Sequence, residues 1–233
     1  RVGLPIEKID QTGYRVPNFL SKVVLLRHLI QQTDDSSKII VFVSSRTLAD
    51  LLFEALEGSL TDTLGIIHSN KAQNYRFDTV RNFQAGKIRV LIATDLIARG
   101  IDVTDVSHVI NFDIPESPEN YIHRIGRTGR ADKNGIAITF VSEKDEAALV
   151  SIEELMQQQL SFTKVTEDLL FTDELLEFEK PKILIPGKAL KLPLRENSGD
   201  SFHEKIAKNK KVNVRYNHKK AMLEKYGKPK RKR

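Results

Sequence analysis

Five short runs of β-branched and apolar residues punctuate the first 160 positions of the chain. They are KIIVFV (38–43), TLGIIH (63–68), KIRVLIA (87–93), SHVINF (107–112) and GIAITFV (135–141). Each is close to continuously hydrophobic, the pattern of strands covered on both faces; a sheet with one wet face would alternate. Between them the spacing turns helical. Leu48, Leu51, Leu52, Ala55 and Leu56 form one apolar stripe behind Ser44 and Ser45 as N-cap candidates, and Phe77, Val80 and Phe83 form another ahead of Gly86 as a C-terminal stop. A helix around 18–32 precedes the first run and one around 144–159, with Ser142 placed to cap it, follows the last. A short helix leads into residues 121–130. Repeated alternation of this kind predicts an α/β fold, a doubly wound and mainly parallel sheet flanked by helices.

In such a sheet ligands bind outside the carboxyl ends of the strands, where the strand-to-helix loops gather. The chemically distinctive residues fall there. SSR (44–46) follows the first run, HSNKAQNYR (68–76) the second, ATDLIARGID (93–102) the third, and SPENYIHRIGRTGR (117–130) the fourth.

Charge divides the chain where hydrophobicity does. From Lys205 to the end there are 13 Lys/Arg against one acidic residue, Glu224, a balance of +12; the overall +6 therefore leaves the first 204 residues at −6. The basic segment has almost no apolar periodicity and too little apolar surface to offset its ordering entropy, so it is expected to be disordered. It reads either as a solubilising tail or as an arm that holds nucleic-acid phosphates by counterion release. The absence of cysteine excludes a disulfide framework and thiolate metal sites. No apolar run approaches the length of a membrane span and the N-terminus lacks a signal pattern, so a cytoplasmic location without membrane association is expected. The chain opens on Arg1 where a complete protein opens on methionine, and is read as a piece of a longer one.

The loops suggest phosphate chemistry. HRIGRTGR (123–130) places three arginines at intervals of three with two glycines, so the backbone is expected to leave the helix and lie close to a ligand. Guanidinium forks suit multi-oxygen anions, although surface ion pairs with the acidic body are the alternative. In ATDLIARGID, Asp102 is suited to sugar hydroxyls and Thr94, Arg99 and the Gly100 backbone to phosphate; the competing reading is a helix start capped by Thr94 or Asp95. Gln73 and Arg76 sit three apart on the first turn of a helix, a positive dipole end suited to a backbone phosphate or simply a solvated helix start. There is no G-x-x-x-x-G-K-[ST] loop, no acidic pair after a strand to hold Mg2+, and no combination suited to a nucleophilic triad. The chain reads as half of a site, in which arginines reach a phosphoryl group held elsewhere.

VFVSSR, QNYR, ATDLIARGID, DVSHVINFD and YIHRIGRTGR, in this order and spacing, closely resemble motifs IV, IVa, V, Va and VI of DEAD-box ATP-dependent RNA helicases. The match covers roughly residues 5–160, and what it resembles is the second, C-terminal RecA-like core domain. The wording IHSNKAQNYR and the lysine-rich tail look most like the bacterial RNA helicase E subgroup. The resemblance implies a 1–160 helicase C-terminal domain, a 161–204 extension or linker and a 205–233 RNA-binding tail. It implies ATP as the nucleotide, with Mg2+ held mainly by the N-terminal RecA-like domain, which would be the partner within one polypeptide. Arg127 and Arg130 would be arginine fingers on the γ-phosphate; Asp102, with Gly100 beside it, would bind the ribose. Thr94, Arg99, Gln73, Arg76, Ser45 and Arg46 would contact RNA phosphates, His123 the D-E-A-D segment of the other domain, and Arg124 the loop or the interdomain contact. RNA would be bound largely without sequence preference, with ribosomal RNA or ribosome-assembly intermediates as targets to consider. The family commonly has His-Gly where this chain has His68-Ser69, which removes the basis for a close backbone contact with RNA there. Two other readings stand beside this one: an RNA-binding or annealing module without hydrolysis, and another superfamily 2 member such as a DNA helicase.

Overall fold

The computed structural model describes residues 8–60, 62–95, 103, 106–129, 134–166, 169–180, 225 and 227. Two units are distinguished, Arg1–Pro181 and Lys182–Arg233. In the second, only Lys225 and Gly227 are among the described residues, so the basic-tail expectation lies outside them. The first carries the sheet.

Its strands are β1 (Ile9–Arg15), β2 (Ile39–Val43), β3 (Leu64–Ile67), β4 (Val90–Thr94), β5 (His108–Asn111), β6 (Gly135–Val141) and β7 (Ser161–Phe162). Its helices are α1 (Phe19–Gln32), α2 (Arg46–Leu60), α3 (Gln73–Gln84), α4 (Pro118–Ile125) and α5 (Glu146–Met156). Every strand pair is parallel, in the order β3-β4-β2-β5-β6-β1-β7. All five predicted strands are present: β2, β3 and β5 lose a residue at one or both ends, β4 starts three residues late and runs one further to Thr94, and β6 keeps the predicted bounds.

Alternate residues of β2 explain the continuous hydrophobic runs. Ile39, Val41 and Val43 pack with Leu26, Ile30, Leu52 and Leu56 of α1 and α2, whereas Ile40 and Phe42 pack with Val80 and Phe83 of α3. Helices cover both faces, so both faces are apolar. On the α3 side, further along the sheet, Tyr121 and Ile125 of α4 and Leu149 and Ile152 of α5 close a third apolar cluster with Ile9, Ala137 and Val141.

The caps follow the chemistry of the sequence. Ser45 Oγ accepts the Leu48 amide at 3.1 Å, and Asn18 caps α1 by accepting Ser21 N–H at 2.9 Å. Gly86, at φ 75°, ends α3 as its amide and that of Lys87 turn back to Phe83 and Asn82. Ser142 forms a capping box with Asp145 ahead of a 3-10 turn (Glu143–Asp145), and α5 stops at Met156 because Gln157 takes a left-handed conformation, earlier than the predicted end at 159.

Two features lie outside the predicted pattern. β1, IDQTGYR, pairs in register with β6 although few of its residues are apolar; it stands near the edge of the sheet, where only the two-residue β7 lies beyond it. Within 161–204, the stretch left open between core packing and a linker, residues 163–166 and 169–180 pack as an irregular strap. Val165, Leu169, Phe171 and Leu176 lie against the α1/α2 core, the backbone of Thr172 bonds Asn18 and Ser21, and Glu179 Oε1 accepts the Phe19 amide at 2.7 Å. The unit that carries the sheet extends to Pro181.

Candidate functional site

Because every strand is parallel, the carboxyl ends of β2, β3, β4 and β5 open on one edge, and the loops singled out in the sequence gather there. Thr94 is the last residue of β4 and is buried; Arg46 and Gln73 open α2 and α3 and are exposed; Arg76, one turn along α3, is half-buried. The Arg46 guanidinium donates to Asn70 Oδ1, tying the β2 loop to the β3 loop. Ser45 spends an acceptor on its cap and keeps a hydroxyl proton to donate. The first turn of α3 has no side-chain cap, since Ala72 stands at the N-cap position, so its outward amides face solvent or a ligand. Arg99, Gly100, Asp102 and Arg130 lie outside the described residues.

The loop between β3 and α3 is fixed by a buried histidine. His68 is 1 % exposed; its Nδ1 accepts the Asn70 amide, which leaves Nε2–H as the donor to Asp50 Oδ1 at 3.0 Å. Lys71 Nζ reaches the same oxygen at 3.1 Å. Partial burial raises the Asp50 carboxyl, but the hydrogen bonds from His68 and Lys71 and the charge of Lys71 outweigh it and hold the group below the usual carboxylate range. Such a depressed group stabilises the fold fully above its unfolded pKa, and that contribution fades as pH falls through the folded one. The acid limb of a stability profile should therefore be flatter in Asp50→Asn than in the parent chain. Urea unfolding at stepped pH below about 5 checks this, and parallel limbs in the two proteins would remove Asp50 from the account.

Arginine chemistry occupies the other side of the edge. His123 and Arg124 belong to α4, and the backbone breaks at Gly126, as the glycines suggested. Arg127 N–H then bonds Arg124 O at 3.1 Å, and Gly129 takes φ 67° where a Cβ would meet Ile9 Cγ1 at 2.8 Å. Thr128 Oγ1 anchors the turn to Val106 O at 2.5 Å. His123 is exposed and Arg127 half-buried.

Arg124, expected to support the loop or the interdomain contact, is turned inward. Its side chain is 1 % exposed, and its fork grips Asp95, Nε to Oδ1 at 2.6 Å and Nη2 to Oδ2 at 2.8 Å. Nη1 donates to Asp113 O at 2.8 Å and Asn111 Oδ1 at 3.3 Å, and the guanidinium lies 5.3 Å from the Phe42 ring centre. An interdomain contact needs an outward guanidinium, and this one is spent within its own domain, tying the ends of β4 and β5 to the arginine loop. Asp95, its partner, was read in sequence only as a capping alternative. Behind it, Asp113 Oδ2 accepts both the amide and the hydroxyl of Ser44, at 3.0 and 2.6 Å. Burial pushes the Asp113 carboxyl up, against the pull of Arg124 and Ser44.

Residues 21–132 match the model of the helicase conserved C-terminal domain. The crystallised chain of the E. coli DEAD-box protein SrmB, bound to regulator of ribonuclease activity A, superposes with a TM-score of 0.63 at 34% identity, over 72% of this chain and 97% of that one. The chain belongs to the DEAD-box helicase C-terminal domains. ATP-dependent RNA helicase DBP8 of Scheffersomyces stipitis is 35% identical over 197 residues, 84% of this chain but 42% of DBP8, so this helicase domain spans less than half the length of that relative. S. cerevisiae Dbp5, solved with RNA and ADP BeF3, gives a TM-score of 0.59 at 32% identity over 68% of this chain and 41% of Dbp5.

Proposed function

We propose that this helicase C-terminal domain is the second core domain of an ATP-dependent RNA helicase, completing an ATP site and an RNA track that the first core domain begins. The observation that carries this is the arginine loop fixed to the carboxyl edge: Arg124 locks Asp95, the helix ends at Gly126, and the half-buried Arg127 follows on the turn after the exposed His123. That arrangement supplies charge to a phosphoryl group without a loop to hold it.

In this reading Arg127 and Arg130 reach the γ-phosphate, Asp102 and Gly100 take the ribose, and His123 reaches across to the other domain while Arg124 positions the loop from behind. Ser45, Arg46, Gln73, Arg76, Thr94 and Arg99 take the RNA backbone. Phosphate and 2′-hydroxyl contacts dominate, so sequence preference is small. ATP and RNA together close the two domains, the bound strand bends, and a short duplex loses pairing locally; hydrolysis reopens the clamp. Mg2+ arrives with ATP and is held mainly by the first domain. Dbp5 held with RNA and a nucleotide supports the substrate class. The narrower placement in the bacterial RNA helicase E subgroup rests on IHSNKAQNYR and the lysine-rich tail, and ribosomal RNA or assembly intermediates are the targets to try first.

The experiment is ATP turnover by this chain with RNA, before and after addition of the separately expressed first core domain. Turnover is expected only on mixing. Turnover by the chain alone would mean that it holds a complete nucleotide site, and the half-site reading would fall.

A further inference from the structure

The strap does more than cover the core. Its last turn ends on Phe178 and Glu179, which meet the N-terminus of α1 together: Glu179 Oε1 accepts the Phe19 amide at 2.7 Å, and the Phe178 ring stands edge-on to Phe19, centroids 5.8 Å apart at 83°. Glu179 is itself held in place, because its Oε2 accepts the Leu176 amide at 3.1 Å. Phe19 in turn packs edge-on against Phe112, 5.5 Å away at 66°. Phe112 lies between Asn111 and Asp113, the two residues that receive both Nη1 hydrogen bonds of Arg124. The Phe112 amide also donates to Phe42 O at 3.0 Å, and the Phe42 ring underlies the same guanidinium. A continuous series of ring contacts and hydrogen bonds thus joins the strap to the residue that fixes the arginine loop.

We propose that Phe178 and Glu179 are positioning residues for the arginine loop, acting through Phe19, Phe112 and Arg124. The ring contacts pass a displacement from Phe178 to Phe19 and from Phe19 to Phe112, and the open cavity of about 290 Å³ beside them, lined by Phe19, Phe112, Asp113, Phe178 and Glu179, gives the rings room to shift once the strap lets go. Release of the strap removes the wedge behind Phe112, the Asn111 and Asp113 acceptors drift, and Arg124 keeps its Asp95 fork but loses its Nη1 anchors. Arg127, one turn on, then samples a wider range of positions. The consequence for turnover rests on the helicase reading above; the mechanical coupling does not.

The test follows the Arg124 side-chain N–H groups by nitrogen-15 NMR in the full 233-residue chain. In Phe178→Ala and in the double variant with Glu179→Ala, exchange of the Arg124 Nη protons is expected to rise about tenfold, the size of coupling that packed networks carry. Phe178→Tyr, which keeps the ring, should restore protection; Glu179→Gln, which keeps an acceptor for only one of the two amides that Glu179 holds, should restore it in part; and Leu170→Ala, at a position 87% exposed, should not disturb it. Phe178 is itself 51% exposed, so its alanine variant folds even where the double variant does not. Loss of protection at the Phe19 amide with Arg124 unchanged would overturn the proposal, leaving the strap as a helix cap only. In the mixed two-domain assay, Phe178→Ala should lower kcat with the KM for RNA unchanged, whereas equal loss in both would mean general loosening and count against it. Absence of turnover in the unmutated mixture would remove the helicase reading and leave the NMR result to decide the coupling.

Discussion

Arg127→Ala, assayed with the first core domain and RNA present, is expected to lower ATP turnover by about a thousandfold or more, the range seen when an arginine finger is removed from a phosphoryl-transfer site. The reason is electrostatic. Charge develops on the transferring group, and a planar guanidinium offers it two donors in a fixed geometry. Arg127 sits on the turn after α4, held through its own amide on Arg124 O, and is half-buried on an edge that a second domain can close. RNA affinity should persist, because the residues assigned to RNA lie on the β2, β3 and β4 loops. Fold stability should change little, since the turn is fixed by Gly126, Thr128 and Gly129. Arg127→Lys keeps the charge but not the fork and is expected to recover only part of the rate. Turnover is read by phosphate release and RNA binding by anisotropy. Unchanged turnover would remove the finger assignment, whereas joint loss of turnover and RNA binding would place Arg127 on the RNA track.

Why some of this was legible in the sequence is a matter of burial. Strands β2 to β6 announce themselves because helices cover both faces and nearly every position is apolar, with Thr94, His108, Asn111 and Thr139 as the polar exceptions. β1 does not: a strand near the edge needs backbone pairing more than apolar side chains, and IDQTGYR looks like a loop until β6 is beside it. The strap was open for a related reason, since Val165, Leu169, Phe171 and Leu176 have no period and are apolar only where they meet α1 and α2. In the site, the loops were legible because turns need glycines and phosphates need arginines. The direction of Arg124 was not read, yet its signal was present. Neighbours on a helix point about 100° apart, so His123 and Arg124 cannot share a role by adjacency. Tyr121, Arg124 and Ile125 follow the i, i+3, i+4 spacing of a buried stripe, and all three are buried. A charge on an apolar stripe calls for a buried partner, and Asp95 at the end of β4 is that partner. The partnership spans 29 residues and two loops, and no local pattern contains it.

The same burial sets the largest stability effect expected in the molecule. Arg124→Ala should destabilise the fold by about 3 kcal/mol or more, the cost of removing one member of a buried pair. Both Asp95 oxygens lose a donor at once, Asn111 Oδ1 and Asp113 O lose theirs, and the ring of Phe42 loses its cation. Each unmet acceptor carries its own desolvation penalty, and the void left by a side chain only 1 % exposed adds a cavity term. Asp95 is 26% exposed, so water relieves part of its charge and keeps the expectation near the lower end of the range for buried pairs. Arg124→Lys should recover little, since one ammonium cannot reach the Asp95 carboxylate and the Asp113 carbonyl together. Asp95→Asn retains an acceptor for one arm of the fork and should cost less than Arg124→Ala. Urea unfolding followed by circular dichroism measures all three, with an unchanged denaturant slope required for the comparison. A loss below about 1 kcal/mol in Arg124→Ala would mean that Asp95 is well solvated once released, like an exposed pair. Arg124 would then hold the loop in place for function without holding the sheet together.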